Sequence, residues 1–372
     1  MIGDPALRLL ASAPAGTGAR ALLLGIGGDA ALLRAYGLAY QETWCHNLQQ
    51  PDHDRASAAA AASGPGVHFL LGDIPCSERA PVAAGQVAED ALPGKMFPPG
   101  HFDRIVMRLG RGTAQVNASL QEAFRLLRPG GELLAAAANQ EGVKSFAKRA
   151  GDHFGNLEIA AIKSNCRLLR LRKESQEPLK AVEDPGYFRS RRHALAFPGG
   201  EISYLTKPGV FAYRGTDAGT ALLARHLPDC TGKRVLDLGC GSGALSLAAF
   251  ARGAASVEAV DNNAVAIACA ERNFAEAGLA ALAVCADLET YAAEGFDLIL
   301  TNPPFHADGA TDYALPGKVV ATLARMLRPG GEAWLVANQF LDYGGPARQR
   351  FQSAVIVARD PGYSIHHMVM AP

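Results

Sequence analysis

Three blocks of sequence recur, in the same order, in the two halves of this 372-residue chain. Arg20-Ala-Leu-Leu-Leu-Gly-Ile-Gly27 matches Arg234-Val-Leu-Asp-Leu-Gly-Cys-Gly241. Phe102-Asp-Arg-Ile-Val106 matches Phe296-Asp-Leu-Ile-Leu300. Arg125-Leu-Leu-Arg-Pro-Gly-Gly-Glu132 matches Arg325-Met-Leu-Arg-Pro-Gly-Gly-Glu332, and an apolar run ending in Asn-Gln follows each. Ordered repetition on this scale implies a duplicated domain, and the length suits two domains with a core each. Both copies alternate strand-like with helix-like segments, the pattern of a mostly parallel sheet. In the second copy the strands are predicted at 234–239, 256–261, 282–287, 296–302 and 331–338. Two further β-rich runs, Ser353 to Arg359 and Tyr363 to Ala371, flank the turn Asp360-Pro361-Gly362 and read as a terminal antiparallel hairpin. Leu157 to Lys163 and Cys166 to Lys173 read the same way in the first copy. The predicted divisions are residues 1–173, a Pro/Gly-rich linker 174–200 ending in a short hairpin at Pro198-Gly199-Gly200, and residues 201–372.

Charge is balanced overall, 36 basic against 36 acidic residues, but not by half. Residues 1–200 carry 23 Lys/Arg and 19 Asp/Glu, a net of +4; residues 201–372 carry 13 and 17, a net of −4. The first half is thus the better surface for a polyanion. A basic strip, Lys163, Arg167, Arg170, Arg172, Lys173, Lys180, Arg189, Arg191 and Arg192, crosses the junction and reads as a solvated face or as a contact for RNA phosphates. Seven cysteines without metal-type spacing suggest reduced thiols in a cytoplasmic protein, with neither a disulfide framework nor a metal site. No apolar run reaches membrane-spanning length, and no signal peptide is evident, so no membrane partner is expected.

The chemistry concentrates in the second copy. Gly239, Cys240, Gly241 and Gly243 form a turn between a strand and an apolar helix-like run, where missing side chains let the backbone approach a ligand. The helix N-terminus behind the turn favours a carboxylate. Asp237 lies just before the turn, Asp261 (followed by Asn262) ends the next strand, and Asp287 ends the third. Acids at successive strand ends suit the ligand crevice of an open α/β sheet. About 60 residues downstream stands Asn302-Pro303-Pro304-Phe305. Two prolines stiffen this corner and expose backbone carbonyls and the Asn302 amide. The turn and the corner together resemble the signature of S-adenosylmethionine-dependent amino methyltransferases. In that reading Asp237 receives the methionine ammonium or orders nearby waters, Asp261 accepts from the ribose hydroxyls and Asp287 from the adenine amine. The Asn302 side-chain oxygen and the Pro303 carbonyl accept the two N–H bonds of a planar amine, and Phe305 stacks on the base. No metal is required. Gly239-x-Gly241-x-x-Ala244 also fits a dinucleotide fingerprint; Asp237 and the Asn-Pro-Pro-Phe corner argue against that alternative.

The first copy has Leu23 in place of Asp237, Asp29 in place of Gly243, and Arg108-Leu109-Gly110-Arg111 in place of Asn302 to Phe305. It reads as a non-catalytic relative kept for recognition or stability, with Arg104, Arg108 and Arg111 clustered either for RNA contact or as plain surface basicity.

The whole chain resembles the ribosomal RNA guanine-N2 methyltransferases of the RsmC and RlmG type, on Asn302-Pro-Pro-Phe-His306, the loop Lys207-Pro-Gly-Val-Phe211 and Asp217-Ala-Gly-Thr220. That resemblance implies an α/β fold of two tandem class I methyltransferase (Rossmann-like) domains. Each would be a mostly parallel seven-stranded sheet with an antiparallel terminal hairpin, the first domain degenerate. It implies S-adenosylmethionine as cofactor and N2 methylation of a guanine in ribosomal RNA or a ribosomal subunit, the small subunit favoured; the duplication, which mimics a dimer within one chain, suggests a monomer. Phe211, Asp217, Phe305 and His306 become substrate-side candidates. Ala212 stands where such enzymes often have serine. Adenine-N6 or protein-glutamine methylation, and a non-catalytic assembly factor, are the alternatives.

Overall fold

A computed structural model describes residues 4–27, 29–47, 49–60, 66–71, 97–110, 112–182, 190–303, 306–307, 310–311 and 314–372. The chain divides into two compact units, residues 1–187 and 188–372. In the first, the elements run α1 (Pro5–Ala11), β1 (Gly18–Leu24), α2 (Ala30–Ala39), β2 (Tyr40–Asn47), α3 (Gln50–Ala60), β3 (Val67–Leu71) and β4 (Phe102–Arg108), then α4 (Thr113–Leu126), β5 (Leu127–Ala138), α5 (Val143–Phe154), β6 (Glu158–Lys163) and β7 (Cys166–Arg172). The second begins with β8 (Arg191–Phe197), β9 (Gly200–Thr206), α6 (Ala218–Arg225), β10 (Arg234–Leu238), α7 (Ala244–Ala251), β11 (Ser256–Asp261) and α8 (Ala264–Ala277). It continues with β12 (Leu282–Cys285), β13 (Phe296–Thr301), β14 (His306–Ala307), β15 (Ala310–Thr311), α9 (Leu315–Met326), β16 (Leu327–Asn338), α10 (Gly344–Arg348), β17 (Ser353–Asp360) and β18 (Tyr363–Val369).

The two sheets have one topology: β3-β2-β1-β4-β5-β7-β6 and β12-β11-β10-β13-β16-β18-β17. Five strands of each are parallel, and the last two add antiparallel. The seven-stranded α/β fold with a terminal hairpin, predicted from the repeats, is thus present twice. Strands buried on both faces explain the unbroken apolar runs. One core lies on each side of each sheet. Strand order reverses between β10 and β13, so a crevice opens at their carboxyl ends.

The recurring blocks are scaffold. Arg128 and Arg328 each pair with the Asp of the matching Phe-Asp block, Asp103 and Asp297. Those carboxylates also accept the backbone N–H groups that start β1 (Ala19 and Arg20) and β10 (Arg234). Gly131 and Gly331 sit where a Cβ would meet two carbonyl oxygens at 2.9–3.0 Å. The same brace therefore ties three strands together in both units.

The stretch expected as a linker is divided between the units. Val182 is buried in the first core, and Leu179 donates its N–H to the His153 carbonyl. The predicted hairpin is β8–β9, and its Leu195 and Tyr204 are buried in the second core. Apolar residues among the turn-formers account for the packing, which outweighs the breaking effect of Pro and Gly. Residues 183–189 lie outside the described residues.

Candidate active site

Leu238 and Thr301 are register partners at the ends of β10 and β13, so Gly239 and Asn302 leave the sheet side by side. The Thr301 hydroxyl donates to the Leu238 carbonyl, 2.7 Å, and pins the two exits together.

The glycine turn is built on positive φ angles: +76° at Gly239, +54° at Gly241 and +77° at Gly243. The N–H groups of Gly239 and Cys240 both donate to the Val260 carbonyl, 2.8 and 3.0 Å, folding the turn over β11. A Cβ on Gly241 would meet nothing within 4 Å, so this glycine faces open space. A Cβ on Gly243 would meet the Phe274 ring at 2.6 Å, so that glycine serves the packing of α7 on α8. Burial raises the Cys240 thiol well above its ordinary range, and its Sγ donates to the Gly241 carbonyl.

Asp237 is 1% exposed. Its Oδ2 accepts both the backbone N–H and the hydroxyl of Ser246, at 2.9 and 2.6 Å. Burial pushes the carboxyl up to about 6 against those two bonds, and nearby Asp261 adds to the push. Asp261 accepts the N–H of Gly241 on one oxygen and that of Asn263 on the other, both 2.9 Å, and burial raises its carboxyl too. Two raised, adjacent carboxyls beside an open glycine turn form a site that gains from an incoming cation. The Asn262 carbonyl accepts from Cys285 Sγ, holding the loops after β11 and β12 together. Asp287 is half-buried just beyond β12 and accepts the Glu289 N–H. The crevice therefore carries three acids on three neighbouring strand ends, a donor set that suits a ligand with a cationic group and hydroxyls.

The Asn302 side chain is held by its nitrogen. Nδ2 donates to Asp217 Oδ2 and to Thr220 Oγ1, each at 2.9 Å. Asp217 is the N-cap of α6 and accepts the Thr220 N–H as well. Asp217 thus lies beside Asn302, bonded to it. Pro303 is buried. His306 opens the short strand β14 and pairs in register with Thr311. Pro304 and Phe305 lie outside the described residues. Phe211 is 62% exposed on the loop after β9, and Ala212 beside it has φ +55°. Asn263 Nδ2 donates to the Gly209 carbonyl, 2.7 Å, tying this loop to the loop that carries Asp261.

In the first unit the corresponding place is filled from within. Leu23 is fully buried. Asp29 is half-buried and caps α2 through the Leu32 N–H. Arg108 pairs with Asp4 at 2.7 Å and Glu141 at 2.8 Å, and Arg104 with Glu132 and the Pro14 and Ala15 carbonyls. The expected Arg cluster for RNA is therefore spent on internal pairs as far as Arg104 and Arg108 are concerned; Arg111 lies outside the described residues. The basic strip is likewise divided. Arg170 meets Glu158, Arg172 meets Glu132, Lys180 meets Asp152 and Arg192 meets Glu276. Arg167 donates to Asn139, and Lys173 is buried with Nζ on the Leu127 carbonyl and over the Phe124 ring. Alternation along β7 puts Arg170 and Arg172 on one face and Arg167 on the other.

The family model "Methyltransferase small domain" matches residues 201–367. A ribosomal RNA small subunit methyltransferase C of Shewanella loihica is 32% identical over 269 residues, covering 71% of this chain and 76% of the relative. One from Shewanella baltica is 32% identical over 267 residues, covering 72% and 76%. The chain belongs to the ribosomal RNA small subunit methyltransferase C family. A solved member of this family, the T. thermophilus 16S rRNA N2 methyltransferase in complex with AdoMet and guanosine, superposes over 99% of this chain and 92% of its own. The TM-score is 0.79 at 28% identity.

Several residues that build the site were not singled out from sequence. Thr220 shares the hold on Asn302. Ser246 anchors Asp237. Asn273, 3% exposed on α8, accepts the Leu205 N–H and donates to the Leu205 and Ser242 carbonyls, bridging β9 to the glycine turn. A lone Asn at an apolar position of a helix was the available signal.

Proposed function

We propose that this chain methylates the exocyclic N2 amine of a guanine in small-subunit ribosomal RNA, with S-adenosylmethionine as donor. The observation that carries this reading is the held Asn302 amide at the end of β13, one strand from the open glycine turn. With both N–H bonds of its amide directed at Asp217 and Thr220, Asn302 presents Oδ1 as the acceptor end. Oδ1 and the Pro303 carbonyl then accept the two N–H bonds of the guanine amine and aim its lone pair. An aryl amine is a poor nucleophile because its lone pair is delocalised; holding both protons on acceptors favours the pyramidal form. The cofactor supplies an electrophilic methyl group. Asp237 and Asp261 hold its charged and hydroxylated parts, Asp287 its adenine, and Gly239 and Gly241 leave room for it. The Phe211 loop covers the entrance, and Phe305 and His306 contact the base. The N–C bond forms as the sulfur–methyl bond breaks, leaving a neutral thioether, and the methylated amine then loses its surplus proton to water; such transfer depends on positioning and electrostatics, so no side-chain base is required.

The first unit has Leu23 where the second has Asp237 and Arg108 where it has Asn302, and we assign it to recognition and to scaffold. A ribosomal substrate places the protein in the cytoplasm, and two tandem domains in one chain let it act as a monomer.

The test uses labelled S-adenosylmethionine with small subunits, large subunits and free ribosomal RNA from cells lacking this gene. N2-methylguanosine in small-subunit RNA is the expected product. Asn302→Ala should bind the cofactor normally while kcat falls by about a thousandfold. Equal turnover by Asn302→Ala refutes the role given to the amide.

A further inference from the structure

We infer that Asp217 and Thr220 are positioning residues that set the orientation of the Asn302 amide, and so decide which end of it meets the base. This rests on the guanine-N2 reading above and names the device that makes that site work.

An asparagine amide is ambiguous: rotated by half a turn it offers two donors where it offered one acceptor. For a substrate amine, whose protons must be accepted, the flipped amide is useless. Asp217 resolves the ambiguity. Its carboxylate is acceptor-only when ionised, and Oδ2 stands 2.9 Å from the Asn302 nitrogen. A flipped amide would set oxygen against a carboxylate oxygen. Thr220 Oγ1 takes the second N–H at 2.9 Å, so both donors of the amide are engaged.

The short motif Asp217-Ala-Gly-Thr220 has the spacing this demands. Asp217 caps α6 and Thr220 is its third residue, so the cap bond from the Thr220 N–H to Oδ2 brings both acceptors onto one face of the first turn. Gly219 leaves the room: a Cβ there would meet the Tyr363 ring at 3.0 Å and Asp217 Oδ2 at 3.1 Å. Ring and carboxylate would have to shift, and the Asn302 contact with them.

The first unit supplies an internal comparison. α1 lies on β5 and β7 as α6 lies on β16 and β18. Its N-cap, Asp4, reaches the residue that matches Asn302, which is Arg108, at 2.7 Å. A contact from this N-cap to the end of the fourth parallel strand is thus part of the duplicated scaffold. In the first unit it closes an ion pair with a side chain that has no acceptor end. In the second it holds an amide and leaves its acceptor for a substrate.

Full-length variants separate this role from helix capping. Asp217→Ser keeps an N-cap but is too short to reach Asn302. Asp217→Asn keeps an oxygen able to accept from both Thr220 and Asn302. Thr220→Val removes the second acceptor, and Thr220→Ser restores it. With small subunits as acceptor, the Asp217→Ser/Thr220→Val pair should lower kcat by about a hundredfold, with cofactor affinity and thermal midpoint near wild type. The Asp217→Asn/Thr220→Ser pair should stay within a few-fold of wild type. An unchanged kcat in the first pair overturns the inference. So does a fall in kcat matched by a fall in cofactor affinity or melting temperature, which would mark a structural role. If wild-type protein makes no N2-methylguanosine, the functional reading fails and takes this one with it, whatever the variants do.

Discussion

Asp237 carries a liability that the cofactor role proposed for it explains. A carboxyl held above its ordinary 3.8 makes the native state the tighter proton binder between that value and about 6. Its contribution to stability is therefore full below pH 3.8 and lost as the pH rises through about 6. At pH 7.5, without ligand, the buried carboxylate costs about 3 kcal/mol relative to its protonated form. Asp237→Asn can keep both Ser246 bonds and sheds the charge. Its melting temperature at pH 7.5 without cofactor should exceed wild type by several degrees, while cofactor affinity falls at least tenfold. A lower midpoint in the variant would refute the assignment. In the wild type, affinity for the cationic cofactor should weaken about tenfold per pH unit below about 6, as the carboxyl protonates. Titration calorimetry from pH 5 to 8 measures this, and Asp237→Asn should show a shallower decline.

At the scale of elements, the β10–α7 turn combines two uses of glycine that one motif conceals. Gly241 and Gly243 both have positive φ, and a side chain costs about 1–2 kcal/mol in that region. Beyond this they differ. Gly241 faces open space, so Gly241→Ala should fold with only that penalty yet lose cofactor affinity by a hundredfold or more. Gly243 abuts Phe274, so Gly243→Ala adds overpacking of about 1–3 kcal/mol and should chiefly lower the melting temperature. Thermal melts and calorimetry on both variants check this; equal stability losses would contradict the division. The same division runs through the repeats. Arg-Pro-Gly-Gly-Glu and Phe-Asp survive in both units because they tie strands together. The residues that differ, Leu23 for Asp237 and Arg108 for Asn302, sit where one unit has a crevice and the other a closed ion pair.

For the whole molecule, one sheet topology serves twice, and Asp237 and Asn302 are replaced by Leu23 and Arg108 in the other copy. With Arg104 and Arg108 internally paired, the first unit's polyanion surface falls to exposed lysines such as Lys144 and Lys148 on α5 and Lys163 at the β6–β7 turn. Replacing these three by Glu should weaken binding to ribosomal RNA and flatten its salt dependence, with cofactor affinity unchanged; filter binding across a salt series reads both. Unaltered RNA affinity would leave the first unit as scaffold alone. Much of this was legible before any coordinates. Ordered repeats, strand and helix alternation and the Asp360-Pro361-Gly362 turn determine a duplicated α/β fold with a terminal hairpin, because backbone geometry translates those local patterns directly. The glycine turn, the strand-end acids and Asn302-Pro303 were also readable, since each depends on its own residue type and its place after a strand. Partnership was not. That Arg108 is spent on Asp4, that the end of the supposed linker belongs to a core, and that Asp217 and Thr220 orient Asn302 from 85 and 82 residues away all depend on contacts between segments distant in sequence. A hydrogen bond's direction is decided by what the partner can donate or accept, and only the tertiary structure brings the partner within reach.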